Sequence, residues 1–242
     1  MNTPILKIEN LTKKYGDFTA VDNLSLEIRA GEICAFIGHN GAGKTTTLKA
    51  AIGILSADDG DIYIDGVSVA AEPMEAKRRA AYIPDNPDLY EFLTGIKYLN
   101  FVADIYGVSA EDKNSRINSL AERFGILDAL GTKISAYSHG MKQKLAIISA
   151  FIHAPKLIMM DEPFVGLDPV ASHSLKEMMC EHCASGGSIF FSTHVLDVAE
   201  KLCDRVAIIK SGKLVVAGAM AEVRGDTSLE DVFLELEGSE NA

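Results

Sequence analysis

No apolar run in the chain approaches the roughly 18 residues that a helix needs to cross a bilayer, so no transmembrane helix is expected. The first eleven residues lack both the basic start and the apolar centre of a secretory signal. The chain is therefore expected to be soluble on its own. Cysteine is scarce: Cys34, Cys180, Cys183 and Cys203 sit in apolar or helical contexts, without the spacing of a disulfide framework, which points to the reducing cytosol. Positive charge is short as well, with 23 Lys and Arg against 34 Asp and Glu and a net charge of -11. Such a surface argues against nucleic acid or anionic lipid as a broad partner. There is no internal repeat, low-complexity linker or coiled coil. What remains, 242 residues at 48% hydrophobic composition, can bury a sizeable core as one large domain or one domain with a subdomain.

The stretch with the most chemistry is Ile33 to Lys49. Ile33 to Ile37 is unbroken and apolar, as expected of a strand covered on both faces. It runs into Gly38, His39, Asn40, Gly41, Ala42, Gly43, Lys44, Thr45 and Thr46, a G-x-x-x-x-G-K-[ST] loop. Glycines at these positions let successive backbone N–H groups turn toward one point, where they and the next helix N-terminus cradle phosphates. In that reading Lys44 reaches the β/γ oxygens and Thr45 holds Mg²⁺. An ordinary glycine-rich turn is the plain alternative. A dinucleotide fingerprint fits less well, because the glycines read G-x-x-G-x-G and a Lys-Thr pair follows. With the whole chain acidic, phosphate recognition must be local.

Alternation of apolar and polar residues at 6–9, 24–29 and 61–65 predicts half-exposed strands, forming a small antiparallel sheet beside the nucleotide strand. From Pro84 the texture changes: 94–107, 111–124 and 139–153 carry apolar residues at helical spacing, a helical insert. Strand-like runs return at 157–160, 189–191 and 206–209 and alternate with helical segments 170–184 and 195–202, the pattern of a parallel sheet. Ser228 opens a last short helix with Asp231 as a capping partner three residues on.

Leu157 to Met160 leads into Asp161, Glu162 and Pro163, two carboxylates at the strand end where open α/β sheets place their ligands. On their own they could be a solvated strand end. Beside a phosphate-loop lysine they fit phosphoryl transfer, which needs a carboxylate on Mg²⁺ and a group that orients the attacking water. Asp161 suits the first role and Glu162 the second.

With the ordered motifs assembled, the chain resembles, almost end to end, the ATP-binding cassette subunit of an ABC transporter. The motifs are the phosphate loop at 38–45, Tyr137-Ser138-His139-Gly140-Met141 as signature, 157–161 followed by Glu162, Gly166-Leu167-Asp168 as D-loop, and His194 as switch histidine. The resemblance implies an α/β P-loop NTPase of the ABC ATPase fold: a mixed core sheet with an antiparallel β subdomain (about 1–83 and 156–225), a helical subdomain (about 86–155) and a short carboxy-terminal helix (about 228–237). It implies ATP and Mg²⁺ as ligands, with Lys44, Glu162 and His194 catalytic and Thr45, Asp161 and Asp85 on the metal. It also implies a head-to-tail dimer, of two copies or with a second ATPase subunit, in which Ser138, Gly140 and Asp168 complete the facing nucleotide site. Tyr15 matches the aromatic that stacks on adenine, although a Tyr after a first strand can equally be half-buried packing. Separate transmembrane permease subunits are implied partners, docking near 85–106 and holding the chain peripherally on the cytoplasmic face of the membrane. The tail Thr227 to Phe233 and the run Met141-Lys142-Gln143 look most like stand-alone subunits of the ABC-2 class of bacterial exporters, EcsA-type cassettes among them.

Three features depart from the family's commonest form. The signature has His139 and Met141 where glycine and glutamine are usual, Asp85 stands where a glutamine follows the Tyr-Ile-Pro strand, and Lys144 replaces an arginine, with no function attached to it. A carboxylate at 85 can still approach Mg²⁺, directly or through water, but cannot donate a hydrogen bond to the lytic water. The Cys180-x-x-Cys183 pair is read as helix packing, because it falls near a helix end whose dipole opposes a thiolate. The acidic run of Glu235, Glu237 and Glu240 is read as a solvated end. Two rivals to the transporter reading are a soluble cassette ATPase acting on ribosomes or DNA and a non-hydrolysing switch. The first lacks the tandem repeat or long coiled-coil insert it would need, and the second sits badly with intact Lys44, Asp161 and Glu162.

Overall fold

The computed structural model describes residues 4–238, so Glu240 of the acidic run lies outside the described residues. From the amino end, β1 (Leu6–Tyr15) and β2 (Phe18–Ile28) form a hairpin, followed by β3 (Ile33–Ile37) and α1 (Lys44–Ala51). Next come β4 (Asp59–Ile64), β5 (Val67–Ser68), α2 (Pro73–Arg79) and β6 (Ala80–Ile83). Three helices, α3 (Gly95–Ile105), α4 (Ala110–Arg123) and α5 (His139–Phe151), separate β6 from β7 (Leu157–Asp161). The chain then alternates through α6 (Pro169–Ala184), β8 (Ser188–Thr193), α7 (Leu196–Leu202), β9 (Arg205–Lys210) and β10 (Lys213–Ala219), and ends in α8 (Met220–Arg224) and α9 (Leu229–Gly238).

Two sheets result: a four-stranded antiparallel one in the order β2-β1-β4-β5, and a six-stranded one in the order β10-β9-β3-β8-β7-β6. The second is parallel except for β10, which pairs antiparallel with β9. Every residue of β3, β7 and β8 is buried, as their unbroken apolar runs require. Their alternate side chains divide between two cores. Ile33, Ala35 and Ile37 join Ile158, Met160 and Phe191 under the helices. Cys34 and Phe36 join Met159 and Phe190 under the antiparallel sheet and α1, with the Phe36 and Phe190 ring centroids 5.3 Å apart.

Register decides where chemistry can occur. Ile37 pairs with Thr193, and Asp161 with Ser192. The ends of β3, β7 and β8 therefore finish level, and the loops that leave them meet at one edge of the sheet.

Some elements go beyond the sequence pattern. β1 continues to Tyr15, but its alternation is broken by register shifts between Ile8 and Lys14 and by Asn10 at φ 52°. Bulges move side chains to the wrong face for a period of two, so only 6–9 read as strand. Helix α2 has Pro73 in its first turn but only Ala76 buried, too little apolar surface for a helical period to show. Around the cysteine pair, Cys183 is buried and Cys180 exposed. Burial pushes the Cys183 thiol up to about 12, away from reactive thiolate chemistry.

Candidate nucleotide site

The loop from Gly38 to Gly43 closes on itself through Ala42 N–H donating to His39 O at 3.1 Å. It is pinned from outside by Gly212 N–H donating to Ala42 O at 2.9 Å. Two glycines are needed for space. A side-chain carbon on Gly38 would collide with the Ile209 carbonyl, and one on Gly43, at φ 110°, would lie 2.5 Å from Ala20 O. Helix α1 starts at Lys44, so its free N–H groups face the loop.

Lys44 is 6% exposed. Its ammonium donates to Gly38 O at 2.5 Å and His39 O at 3.1 Å and lies 3.9 Å from Glu162 Oε1. Burial holds its pKa below the usual lysine value, opposed by the charges of Glu162 and Asp161. Asp161 is held on both oxygens: Thr45 Oγ1 donates to Oδ2 at 2.6 Å, and Ser192 Oγ donates to Oδ1 at 2.5 Å. Glu162 takes a left-handed φ of 46°, which for a residue with a side chain costs of order 1 kcal/mol and is kept only where the surroundings enforce it. Here its N–H donates to Ser192 Oγ at 3.0 Å, and its Oε2 is 2.9 Å from His194 Nδ1.

Lys44, Thr45, Asp161 and Glu162 share a cavity of about 310 Å³ with most of the rest of the phosphate loop, Asp85 and the aromatic pair Tyr15 and Phe18, while His194 lines the neighbouring pocket with Gly38, His39, Asn40 and Phe233. Tyr15 and Phe18 face each other across the β1–β2 turn and are 50% and 63% exposed, an aromatic platform beside the loop. Phe18 stands outside any motif, so nothing in the sequence singles it out. Asp85, next to an Asn86 N–H that donates to its Oδ1 at 2.8 Å, stands at the same wall. On the other side of the loop, the His39 and Phe233 ring centroids are 5.0 Å apart, so α9 packs on the phosphate loop.

Ser138, Gly140 and Asp168 do not line this cavity. They form a second cluster: Ser138 Oγ accepts the Met141 N–H at 3.3 Å and caps α5. Asp168 Oδ1 accepts the Ala171 N–H at 2.8 Å and caps α6, and Lys144 Nζ donates to Asp168 Oδ2 at 2.7 Å. Lys144 thus acquires a partner that its sequence context had not offered. A side chain on Gly140 would meet Gly166 O at 2.8 Å, so the signature glycine permits a close approach of two backbones.

Chemically, the first cluster offers a ring of N–H donors, one buried cation, and a hydroxyl with a carboxylate in contact. A group of three or more acidic, histidine or cysteine side chains able to hold a metal is absent among the described residues. Thr45 and Asp161 instead provide two hard oxygen donors side by side, which suits Mg²⁺, an ion that takes one or two carboxylates and completes its shell with phosphates and water.

Among known families, the sequence profile described as "ABC transporter" matches residues 21–165. The ABC-type transporter ATP-binding protein EcsA of Bacillus subtilis is 37% identical over 237 residues, covering 96% of each chain. A solved structure described as the ATP binding subunit of an ABC transporter superposes with a TM-score of 0.93 at 37% identity, covering 96% of this chain and 99% of that one. A dimeric, post-hydrolysis structure of the ATP-binding cassette MJ0796 bound to ADP and Pi has a TM-score of 0.81 over 89% of this chain and 98% of its own, and at 23% identity the likeness is one of fold. The chain belongs to the ABC transporter family, as an ATP-binding subunit with the ATPase fold and activity of that family.

Proposed function

We propose that this chain is the ATP-hydrolysing motor of an exporter, working as a head-to-tail dimer on separate transmembrane subunits. The observation that carries the reading is the separation of two half-sites within one chain. The phosphate loop, Asp161 and Glu162 line one cavity, with His194 in contact with Glu162, whereas Ser138, Gly140 and Asp168 form a capped cluster that does not line it. A second copy turned end for end would bring the N-terminus of α5, with its unpaired N–H groups and partial positive charge, to the phosphate loop of the first.

In that dimer the loop N–H groups and Lys44 bind the phosphates, and Lys44 exchanges its carbonyl partners for phosphate oxygens. Tyr15 and Phe18 offer ring faces to the adenine. Thr45, Asp161 and Asp85 would hold Mg²⁺, which when bound neutralises charge on the β and γ oxygens. Glu162 orients the attacking water, and His194, 2.9 Å from Glu162, fixes that carboxylate and faces the γ-phosphate. Movement of the helical segment, about 86–155, against the core of about 1–83 and 156–225 would carry the closure to the membrane.

For docking, Tyr90, Phe92 and Phe101 are exposed at 50%, 74% and 44%, and Tyr90 lies 5.9 Å from each of the other two rings. A cluster of exposed aromatics suits a partner surface, and it falls within 85–106. No helix among the described residues is long and apolar enough to cross a membrane; in this reading the separate transmembrane subunits supply the conduit.

The test is to tag the chain in its native cell, purify it from detergent-solubilised membranes and identify its companions by mass spectrometry. A stoichiometric polytopic membrane protein is the expected result. Recovery with ribosomal or DNA-repair proteins alone would leave the ATPase chemistry standing and overturn the transport reading. A second measurement addresses Asp85: Asp85→Gln is expected to raise the Mg²⁺ concentration needed for half-maximal hydrolysis several-fold. An unchanged Mg²⁺ titration would remove Asp85 from the metal side.

A further inference from the structure

We propose that Ser192, at the end of β8, is a positioning residue for hydrolysis that acts through Glu162. The inference rests on the catalytic reading of Glu162 given above and extends it to a residue with no place in the ordered motifs.

Ser192 is fully buried, and its single hydroxyl makes two bonds of fixed sense. It donates to Asp161 Oδ1 at 2.5 Å, which uses its only hydrogen, and it accepts the Glu162 N–H at 3.0 Å. The charged carboxylate makes the first bond the stronger, so it orients the hydroxyl and leaves a lone pair facing Glu162 N–H. That N–H belongs to a residue at φ 46°, a conformation that persists only where something enforces it. Strand pairing supplies the alignment, because Asp161 stands opposite Ser192 in the β7–β8 register. Asp161 keeps a second anchor in Thr45 Oγ1 at 2.6 Å; the Glu162 N–H has Ser192 as its partner. Loss of the hydroxyl therefore falls on Glu162. Its carboxylate, 2.9 Å from His194 and 3.9 Å from Lys44, depends on that backbone angle for its aim.

Ser192→Ala is expected to lower kcat about tenfold or more. Binding of a fluorescent ATP analogue should stay within about twofold of the native value, both with Mg²⁺ and in EDTA, because Asp161 remains held by Thr45. Ser192→Thr, which restores the hydroxyl, should recover kcat to within about threefold of native. Introduced into a Glu162→Gln background, Ser192→Ala should change the residual rate less than about twofold, the non-additivity expected of a residue that acts through another.

A native kcat in Ser192→Ala would overturn the proposal. So would a loss of Mg²⁺-dependent analogue binding as large as the loss of rate, since the hydroxyl would then serve Asp161. Fully additive losses in the double variant would also overturn it. If Glu162→Gln alone hydrolyses at the native rate, it is the catalytic reading of Glu162 that has failed, a result separate from any behaviour of Ser192.

Discussion

Glu162→Gln is expected to bind ATP as the native chain does and to hydrolyse it at least about a hundredfold more slowly. The amide keeps the size of the side chain and can keep the contact with His194, now 2.9 Å from the carboxylate. It cannot accept a proton or present two equivalent acceptors to a water. Because Lys44, the loop N–H groups and Asp161 are untouched, binding and turnover should separate cleanly. Single-turnover hydrolysis beside equilibrium binding of a fluorescent analogue measures both. Equal rates for the native and glutamine chains would take Glu162 out of the reaction.

Lys44→Ala should lose nucleotide binding or hydrolysis altogether, an effect of at least about a hundredfold on kcat/KM. The ammonium is the one buried cation of the cavity, already coordinated by Gly38 O and His39 O and balanced by Glu162 and Asp161. Removing it leaves two carboxylates facing incoming phosphates with nothing to offset them, a repulsion strengthened by burial. Isothermal titration with MgATP, alongside a thermal melt to show that the fold persists, decides the matter. Undiminished binding and turnover in the variant would mean that the loop N–H groups suffice.

Much of this site could be read from the sequence because its parts are contiguous. Gly38 to Thr45, and Asp161 with Glu162, each follow an apolar strand, and a loop at a strand end needs few residues to declare its purpose. The buried strands themselves were legible from unbroken apolar runs. What the sequence alone does not show is held by tertiary geometry. Ser192 looks like any serine ending a strand until the register sets it beside Asp161. Phe18 gains meaning only from pairing with Tyr15, and Phe233 only from its packing on His39. Lys144 meets Asp168 across 24 positions of sequence. Only the first residues of β1 read as strand in the sequence, because bulges erase the alternation on which strand recognition depends. Ser228, by contrast, stood out through a local cap: the Asp231 N–H donates to Ser228 Oγ at 3.1 Å, and the Ser228 N–H donates to Asp231 Oδ2 at 3.2 Å.

The place of β3 at the centre of the parallel sheet also governs how the protein can be made. Both neighbours of this strand, β8 and β9, begin at Ser188 and Arg205, so about 150 residues must leave the ribosome after β3 before either can pair with it. At about 5–20 residues per second, the strand that carries the phosphate loop waits roughly 8–30 s with its apolar edges open. The β1–β2 hairpin can assemble early, because its pairing is local in sequence, and β4 joins β1 well before β8 is made. During that interval a nascent chain has the glycine-rich loop but neither Asp161 nor Ser192 beside it. Competence to handle nucleotide thus arrives late in synthesis, and a chain that ends before β8 lacks the pairing that brings Asp161 beside Ser192.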